Sequence, residues 1–189
     1  MPAQAYFHQG GHGGPPPLEL MHRWFRRYLY GIQNGVENDP RAWIVREEDE
    51  RTDPTPYADY PNPLATPVTL FPTAGGVQRG GLSLEAVPGQ GAETVGDNFS
   101  FSGATLARAE WTHHRLLYLS PELAEPLHVS GTPTLEIRLA SSAPAANLSV
   151  WLVSLPWPER GSGEGGIITR GWADPQNHQS IRESQPLDP

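Results

Sequence analysis

The chain has 189 residues and a formal net charge of −8. It has no basic stripe to neutralise phosphates, so a nucleic-acid partner is not expected, and the absence of cysteine excludes disulfides, thiolate metal sites and cysteine nucleophiles. No apolar run approaches ~20 residues, so no membrane span is expected. The N-terminus lacks a basic region followed by an apolar one, and a cytoplasmic location is expected.

Twenty glycines and 21 prolines argue for many turns and few long helices. Ala5-Tyr6-Phe7 is a short β-prone run that leads into Gln9-Gly10-Gly11-His12-Gly13-Gly14. The glycines flanking His12 let the backbone turn tightly and leave the imidazole uncrowded. Pro15, Pro16 and Pro17 suit the start of a helix. Beyond them Leu18, Met21, Phe25, Tyr28 and Leu29 recur at spacings of three and four, which predicts an amphipathic helix. Arg23, Arg26 and Arg27 fall on its other side, toward the end where the helix dipole favours cations. Gly31 stands where a C-cap is needed. A connector runs to Pro40, and Ala42-Trp43-Ile44-Val45-Arg46 reads as the first strand of a second domain. The boundary is expected near Asn38, dividing residues 1–38 from 39–189.

The acidic run Glu47-Glu48-Asp49-Glu50 lacks the glycine and spacing of a calcium loop and reads as solvated. Residues 52–67 are proline-rich and predict an extended connection. Thr69-Leu70-Phe71 and Gly81-Leu82-Ser83-Leu84-Glu85 predict a strand pair joined by Ala74-Gly75-Gly76. Phe99-Ser100-Phe101 predicts a short strand. His113 and His114 are adjacent, so in a strand they face opposite ways and make poor joint metal ligands. No metal and no cofactor is expected.

The densest strand signal lies between Arg115 and Leu155. Its runs are 115–119, 127–130, 134–139 and 148–153, separated by turn-forming residues. In the third run Leu135, Ile137 and Leu139 share one face, and Glu136 and Arg138 the other, the period of a half-buried strand. The block predicts the core of a β-sandwich. Ile167-Ile168-Thr169-Arg170 adds a strand after a Gly-rich connection. A sandwich needs about seven or eight strands; the candidates number seven or eight but several are weak, so an incomplete sandwich is expected.

The order strand, Gly-rich loop with His12, amphipathic helix has a chemical parallel. In α/β-hydrolases the triad runs Ser, Asp or Glu, then His, so the histidine comes last, on a loop before the final helix. There it takes the serine proton and returns it to the leaving group. The sequence around Ser83 lacks the closing glycine of a nucleophile elbow, and Ser162 sits in a flexible connection. On local pattern alone, His12 reads as a loop histidine without a task.

A resemblance changes that balance. Phe7-His8-Gln9-Gly10-Gly11-His12-Gly13-Gly14, the helix ending Arg26-Arg27-Tyr28-Leu29-Tyr30-Gly31, and Asn34-Gly35-Val36-Glu37-Asn38-Asp39-Pro40 resemble the X-prolyl dipeptidyl-peptidases and the related cocaine-esterase-like acyl hydrolases. Leu117-Tyr118-Leu119-Ser120-Pro121-Glu122-Leu123, Val129-Ser130-Gly131-Thr132-Pro133 and Ile168-Thr169-Arg170-Gly171-Trp172 look like that family's C-terminal jelly-roll. The resemblance implies a mainly β chain: a galactose-binding-like jelly-roll sandwich preceded by a strand–loop–helix remnant of an α/β-hydrolase domain. It makes His12 the triad histidine and His8 a non-catalytic neighbour.

The family's serine and triad acid find no match here. The chain is therefore expected to be the C-terminal portion of a serine hydrolase, inactive alone. It would need the missing α/β-hydrolase portion in cis or in trans, and would meet a peptide or ester substrate only in the complete enzyme. Contacts between copies, giving a homo-oligomer, are also expected. The rival reading is a free-standing β-sandwich that binds carbohydrate or protein, with Trp111, Trp151, Trp157 and Trp172 as stacking platforms. Packing is the preferred role for most of these, since Trp151 shares a strand face with Val153. Solvent exposure of Leu18, Met21, Phe25 and Tyr28 would favour the fragment.

Overall fold

A computed structural model describes residues 3–8, 13–46, 49–157 and 166–187. The chain divides into two compact units, Met1–Pro67 with Glu125–Thr134, and Val68–Ala124 with Leu135–Pro189. Its secondary structure is mostly sheet with few helices, consistent with a C-terminal β-sandwich domain.

In the first unit, β1 (Ala5–Phe7) pairs in parallel with β2 (Ala42–Ile44), and β2 pairs antiparallel with β3 (Thr55–Tyr57). Helix α1 (Leu18–Tyr30) connects the two parallel strands, as a parallel pair requires. The helix begins where its prolines predict. Pro17 is the N-cap, and its carbonyl accepts from the amides of Leu20 and Met21 at 3.0 and 3.3 Å. It ends at Gly31, which takes φ 68°, a conformation that carries no Cβ penalty in glycine. The small core of this unit holds Val36, Ala42 and Val45, which are 2%, 0% and 7% exposed.

The connector after α1 folds back along the helix. A 3₁₀ turn, Val36–Asn38, follows Gly35 at φ 72°. Arg23 grips Asp39 through Nε and Nη2 at 3.0 and 2.9 Å. Arg27 pairs with Glu37, and Asn34 Nδ2 donates to the Arg23 carbonyl at 2.7 Å. Two of the three arginines read as dipole partners are thus ion-paired to the Asn34–Pro40 motif.

In the second unit, β4 (Phe71–Pro72) pairs antiparallel with β5 (Gly80–Ser83), and β5 pairs in parallel with β6 (Tyr118–Leu119). The long ladder is β7 (Leu148–Val153) against β8 (Ile167–Ala173). A short helix, α2 (Gly103–Arg108), starts at Ser102, whose Oγ accepts the Thr105 amide at 3.2 Å. The strand predicted at 99–101 is instead a turn that leads into this helix.

The block from 115 to 155 corrects the sequence reading of the core. Only β6 and β7 form ladders within it. Residues 127–130 are held instead by side chains, with Tyr57 Oη 3.4 Å from His128 Nε2 and the Asn62 amide donating to Ser130 Oγ at 3.0 Å. Residues 132–140 run without turn, bend or ladder, and Leu135, Ile137 and Leu139 are 52%, 49% and 40% exposed. Alternation supplies a strand's faces but not its hydrogen bonds, which must come from a neighbour. Among the described residues of this unit the buried hydrophobic one is Trp157, outside the block.

Candidate functional site

His12 lies outside the described residues, together with Gln9, Gly10 and Gly11. β1 delivers the chain to His8, and Gly13 at φ 83° leads it away toward α1. The His8 ring lies 5.7 Å from the Tyr6 ring, and its Nδ1 is buried without a hydrogen-bond partner. Tyr6 Oη donates to the Arg51 carbonyl at 3.1 Å. A Cβ on Gly14 would sit 1.5 Å from Arg51 Nη2 and 2.8 Å from His8 Nε2. Arg51 and His8 therefore close directly on the Gly14 backbone, and any side chain there must displace the guanidinium. Arg51 brings the connection after β2 to this segment, a contact the local sequence does not signal.

The face of α1 that carries Leu20, Met21, Trp24 and Phe25 lines a hollow with Tyr6 and Trp43. Trp43 Nε1 is buried and unpaired. Even so, Leu18, Phe25, Tyr28 and Leu29 are 76%, 50%, 38% and 70% exposed, and no residue of α1 is fully buried. A helix with strong apolar patterning is thus left largely uncovered.

Neither serine weighed as a nucleophile gains support. Ser83 ends β5 and its Oγ accepts the Glu85 amide at 3.0 Å; Ser162 lies outside the described residues. His113 and His114 sit in a turn and take separate partners. His113 lies edge-on to Trp111, and His114 Nδ1 is 2.8 Å from the Gly96 carbonyl oxygen. Among the described residues, no three His, Asp or Glu side chains converge on a metal position.

Of the acidic run at 47–50, Asp49 is bonded rather than merely solvated. Thr55 Oγ1 donates to it at 2.5 Å and the Arg46 amide at 3.1 Å, and these bonds lower its pKa to about 2. Glu93 has a similar task. Its Oε1 accepts from the Gly75 and Gly76 amides at 2.9 and 2.8 Å, and its Oε2 from Tyr118 Oη at 2.7 Å. Burial pushes this carboxyl up, but the three donors outweigh it and hold the group below the usual range. Tyr118 is pushed up, by burial first and by the Glu93 carboxylate second.

Arg115 is a hub that the sequence hides. Its Nη1 donates to the carbonyls of Gly76 and Gln78, both at 2.8 Å, while Nε reaches Leu106 at 3.1 Å and Nη2 reaches Ala109 at 2.5 Å. One guanidinium thereby closes the 76–78 loop and caps the carbonyls at the end of α2.

The tryptophans divide into packed and presented. Trp157 is 8% exposed, and Trp151 lies 6.3 Å from it. A Cβ on Gly103 would meet the Trp151 ring at 2.1 Å, so the start of α2 rests on the indole. Trp172 is 69% exposed and Trp111 55%. The Arg170 guanidinium lies 5.9 Å from the Trp151 ring centroid and 5.3 Å from that of Trp172.

Comparison with known proteins makes the class definite. Residues 34–189 match the family model described as the X-Pro dipeptidyl-peptidase C-terminal non-catalytic domain, and the chain belongs to that family. A protein of Rhodopirellula baltica, provisionally named Xaa-Pro dipeptidyl-peptidase, is 57% identical over 188 residues, 98% of this chain and 30% of that protein. One of Bacillus anthracis with the same provisional name is 32% identical, covering all of this chain and 31% of its own length. The Xaa-Pro dipeptidyl-peptidase of Lactobacillus delbrueckii subsp. bulgaricus is 25% identical over 88% of this chain and 23% of that protein. The chain thus spans under a third of the length of the curated relatives it matches. No solved structure is a significant match. Among the described residues, no helix is long and apolar enough to cross a membrane.

Proposed function

We propose that this chain is the C-terminal portion of a serine hydrolase that releases N-terminal Xaa-Pro dipeptides, and that it is inactive alone. The carrying observation is the match of 34–189 to a domain described as non-catalytic, within relatives named for that activity. The uncovered apolar face of α1 supports it, because a module built to stand alone should cover Leu18 and Leu29. In this reading His12 is the general base of a triad whose serine and acid belong to the missing α/β-hydrolase portion. It accepts the serine proton as the hydroxyl attacks the acyl carbon, then donates it to the departing amine. The packed positions of Trp151 and Trp157 weigh against the rival sugar-platform reading.

The test has two arms. The purified chain should not turn over a proline-containing dipeptide anilide, since nucleophile and oxyanion hole are not supplied. Joined to the part of the R. baltica relative that it does not match, it should turn the anilide over, with His12→Ala lowering kcat about 10⁶-fold. Steady turnover by the chain alone, abolished by His12→Ala, would overturn the inactivity. A folded, active joined protein indifferent to His12→Ala would overturn the assignment of His12.

A further inference from the structure

His12 stands two residues before Gly14, and Gly14 is gripped from outside its own segment. A Cβ there would meet Arg51 Nη2 at 1.5 Å, Arg51 Cζ at 2.7 Å and His8 Nε2 at 2.8 Å. Gly13 has φ 83°, whereas Gly14 has no positive φ, so occupied space rather than backbone conformation excludes a side chain at Gly14. The guanidinium reaches this backbone from the connection between β2 and β3. The Asp53 amide donates to the Glu50 carbonyl at 2.9 Å, which closes a turn with Arg51 as its second residue. Asp49 fixes the approach to that turn, accepting from Thr55 Oγ1 at 2.5 Å and from the Arg46 amide at 3.1 Å. Tyr6 Oη donates to the Arg51 carbonyl at 3.1 Å and ties the turn to β1. All of these residues belong to the first unit.

We propose that Arg51 is a positioning residue for the triad: with His8 it clamps the Gly14 backbone and so fixes the end of the loop that carries His12. The inference rests on the reading of His12 as the general base. Consecutive Cα atoms are about 3.8 Å apart, so the Cα of His12 lies within about 7.6 Å of that of Gly14. A shift at Gly14 reaches His12 across only two peptide links. Proton transfer needs the imidazole within hydrogen-bond reach of the serine, and a misplacement of about 1 Å costs on the order of 10²-fold in rate. A guanidinium is planar, permanently charged and rigid at its tip, so it holds a backbone at a fixed distance better than a flexible ammonium does. Arg51 lies in the stretch 34–189 that matches a domain described as non-catalytic, while Gly14 precedes that stretch. The domain thus contributes to turnover without touching the substrate.

The test uses the joined enzyme and the dipeptide anilide described above. Arg51→Ala should lower kcat about 30-fold, keep KM within about twofold and leave the urea midpoint unchanged. Arg51→Lys should recover part of that loss. Gly14→Ala should cost about as much, because its Cβ must push the guanidinium aside, and adding it to Arg51→Ala should cost less than about threefold more. Arg41→Ala removes an exposed cation just before β2, 3.3 Å from Asp59, and should keep kcat within about twofold. In the His12→Ala background Arg51→Ala should lower the residual turnover no further, since it acts through that imidazole. Full activity of Arg51→Ala, a loss confined to KM, or effects of Gly14→Ala and Arg51→Ala that simply multiply would each overturn the inference and leave His12 in its role. So would a fall in kcat that tracks a fall in the urea midpoint, or a further loss in the His12→Ala background. A joined enzyme indifferent to His12→Ala removes the reading of His12 and this inference with it.

Discussion

Helix α1 and the segment 132–140 carry comparably clear periodic patterns, and their outcomes differ. α1 forms over Leu18–Tyr30 although no residue of it is fully buried. Residues 132–140 form no ladder although Leu135, Ile137 and Leu139 alternate cleanly. A helix answers its own amides through i→i−4 bonds, so a capped 13-residue pattern can appear with little tertiary cover. A strand borrows every bond from elsewhere. Apolar periodicity is thus sufficient evidence for the first element and only a precondition for the second. The loops between 74 and 109 show a third solution, in which single side chains supply the missing partners.

Three substitutions sharpen this contrast, in falling order of effect. Arg115→Met removes the donor to the carbonyls of Gly76, Gln78, Leu106 and Ala109, and should cost about 3 kcal/mol in urea unfolding followed by tryptophan fluorescence. A loss under ~1 kcal/mol would mean that water replaces the guanidinium without penalty. Glu93→Gln keeps the shape but weakens three charge-assisted bonds, and should cost about 1 kcal/mol at neutral pH. The folded-state pKa of Glu93 is lowered, so its stabilisation is present above the ordinary carboxylate range and is lost as pH falls through the folded value. The gap between parent and variant should be widest above pH ~5 and close in acid. A gap that does not change with pH would remove the charge from the account. Ile137→Pro should change stability by less than ~0.5 kcal/mol, because among the described residues no ladder bond is there to lose. A cost of ~3 kcal/mol would mean that the segment is paired within one chain.

Much of the fold was legible where an element closes its own accounts. The bounds of α1 followed from Pro17, the spacing of three and four, and Gly31. β7 matched the apolar run 148–153, and the pair at 71–72 and 80–83 followed from the Gly-rich turn between them. What was missed depended on reach. β3 contains Pro56 in a proline-rich stretch and exists because β2 offers it an edge. α2 is six residues long, with only Ser102 to announce it. Arg115 finds carbonyls 37 and 39 residues away in sequence, and no periodicity encodes that. The acidic run concealed Asp49, whose partner Thr55 lies beyond a turn. In the candidate site, the order of elements drew notice to His12 and only the family resemblance gave it a role, while Arg51 against Gly14 could be seen only once the chain was folded.

The connector between α1 and β2 has one more consequence. With Asp39 and Glu37 clasping Arg23 and Arg27, and Val36 and Ala42 sealed from water at either end of it, the stretch is a seam rather than a joint. Recombination of domains, natural or in the laboratory, usually succeeds where few contacts cross the cut. Here a cut between 31 and 40 would strip β2 of the strand beside it. Residues 5–57 should be inherited or exchanged as one cassette, even though the family model begins at residue 34.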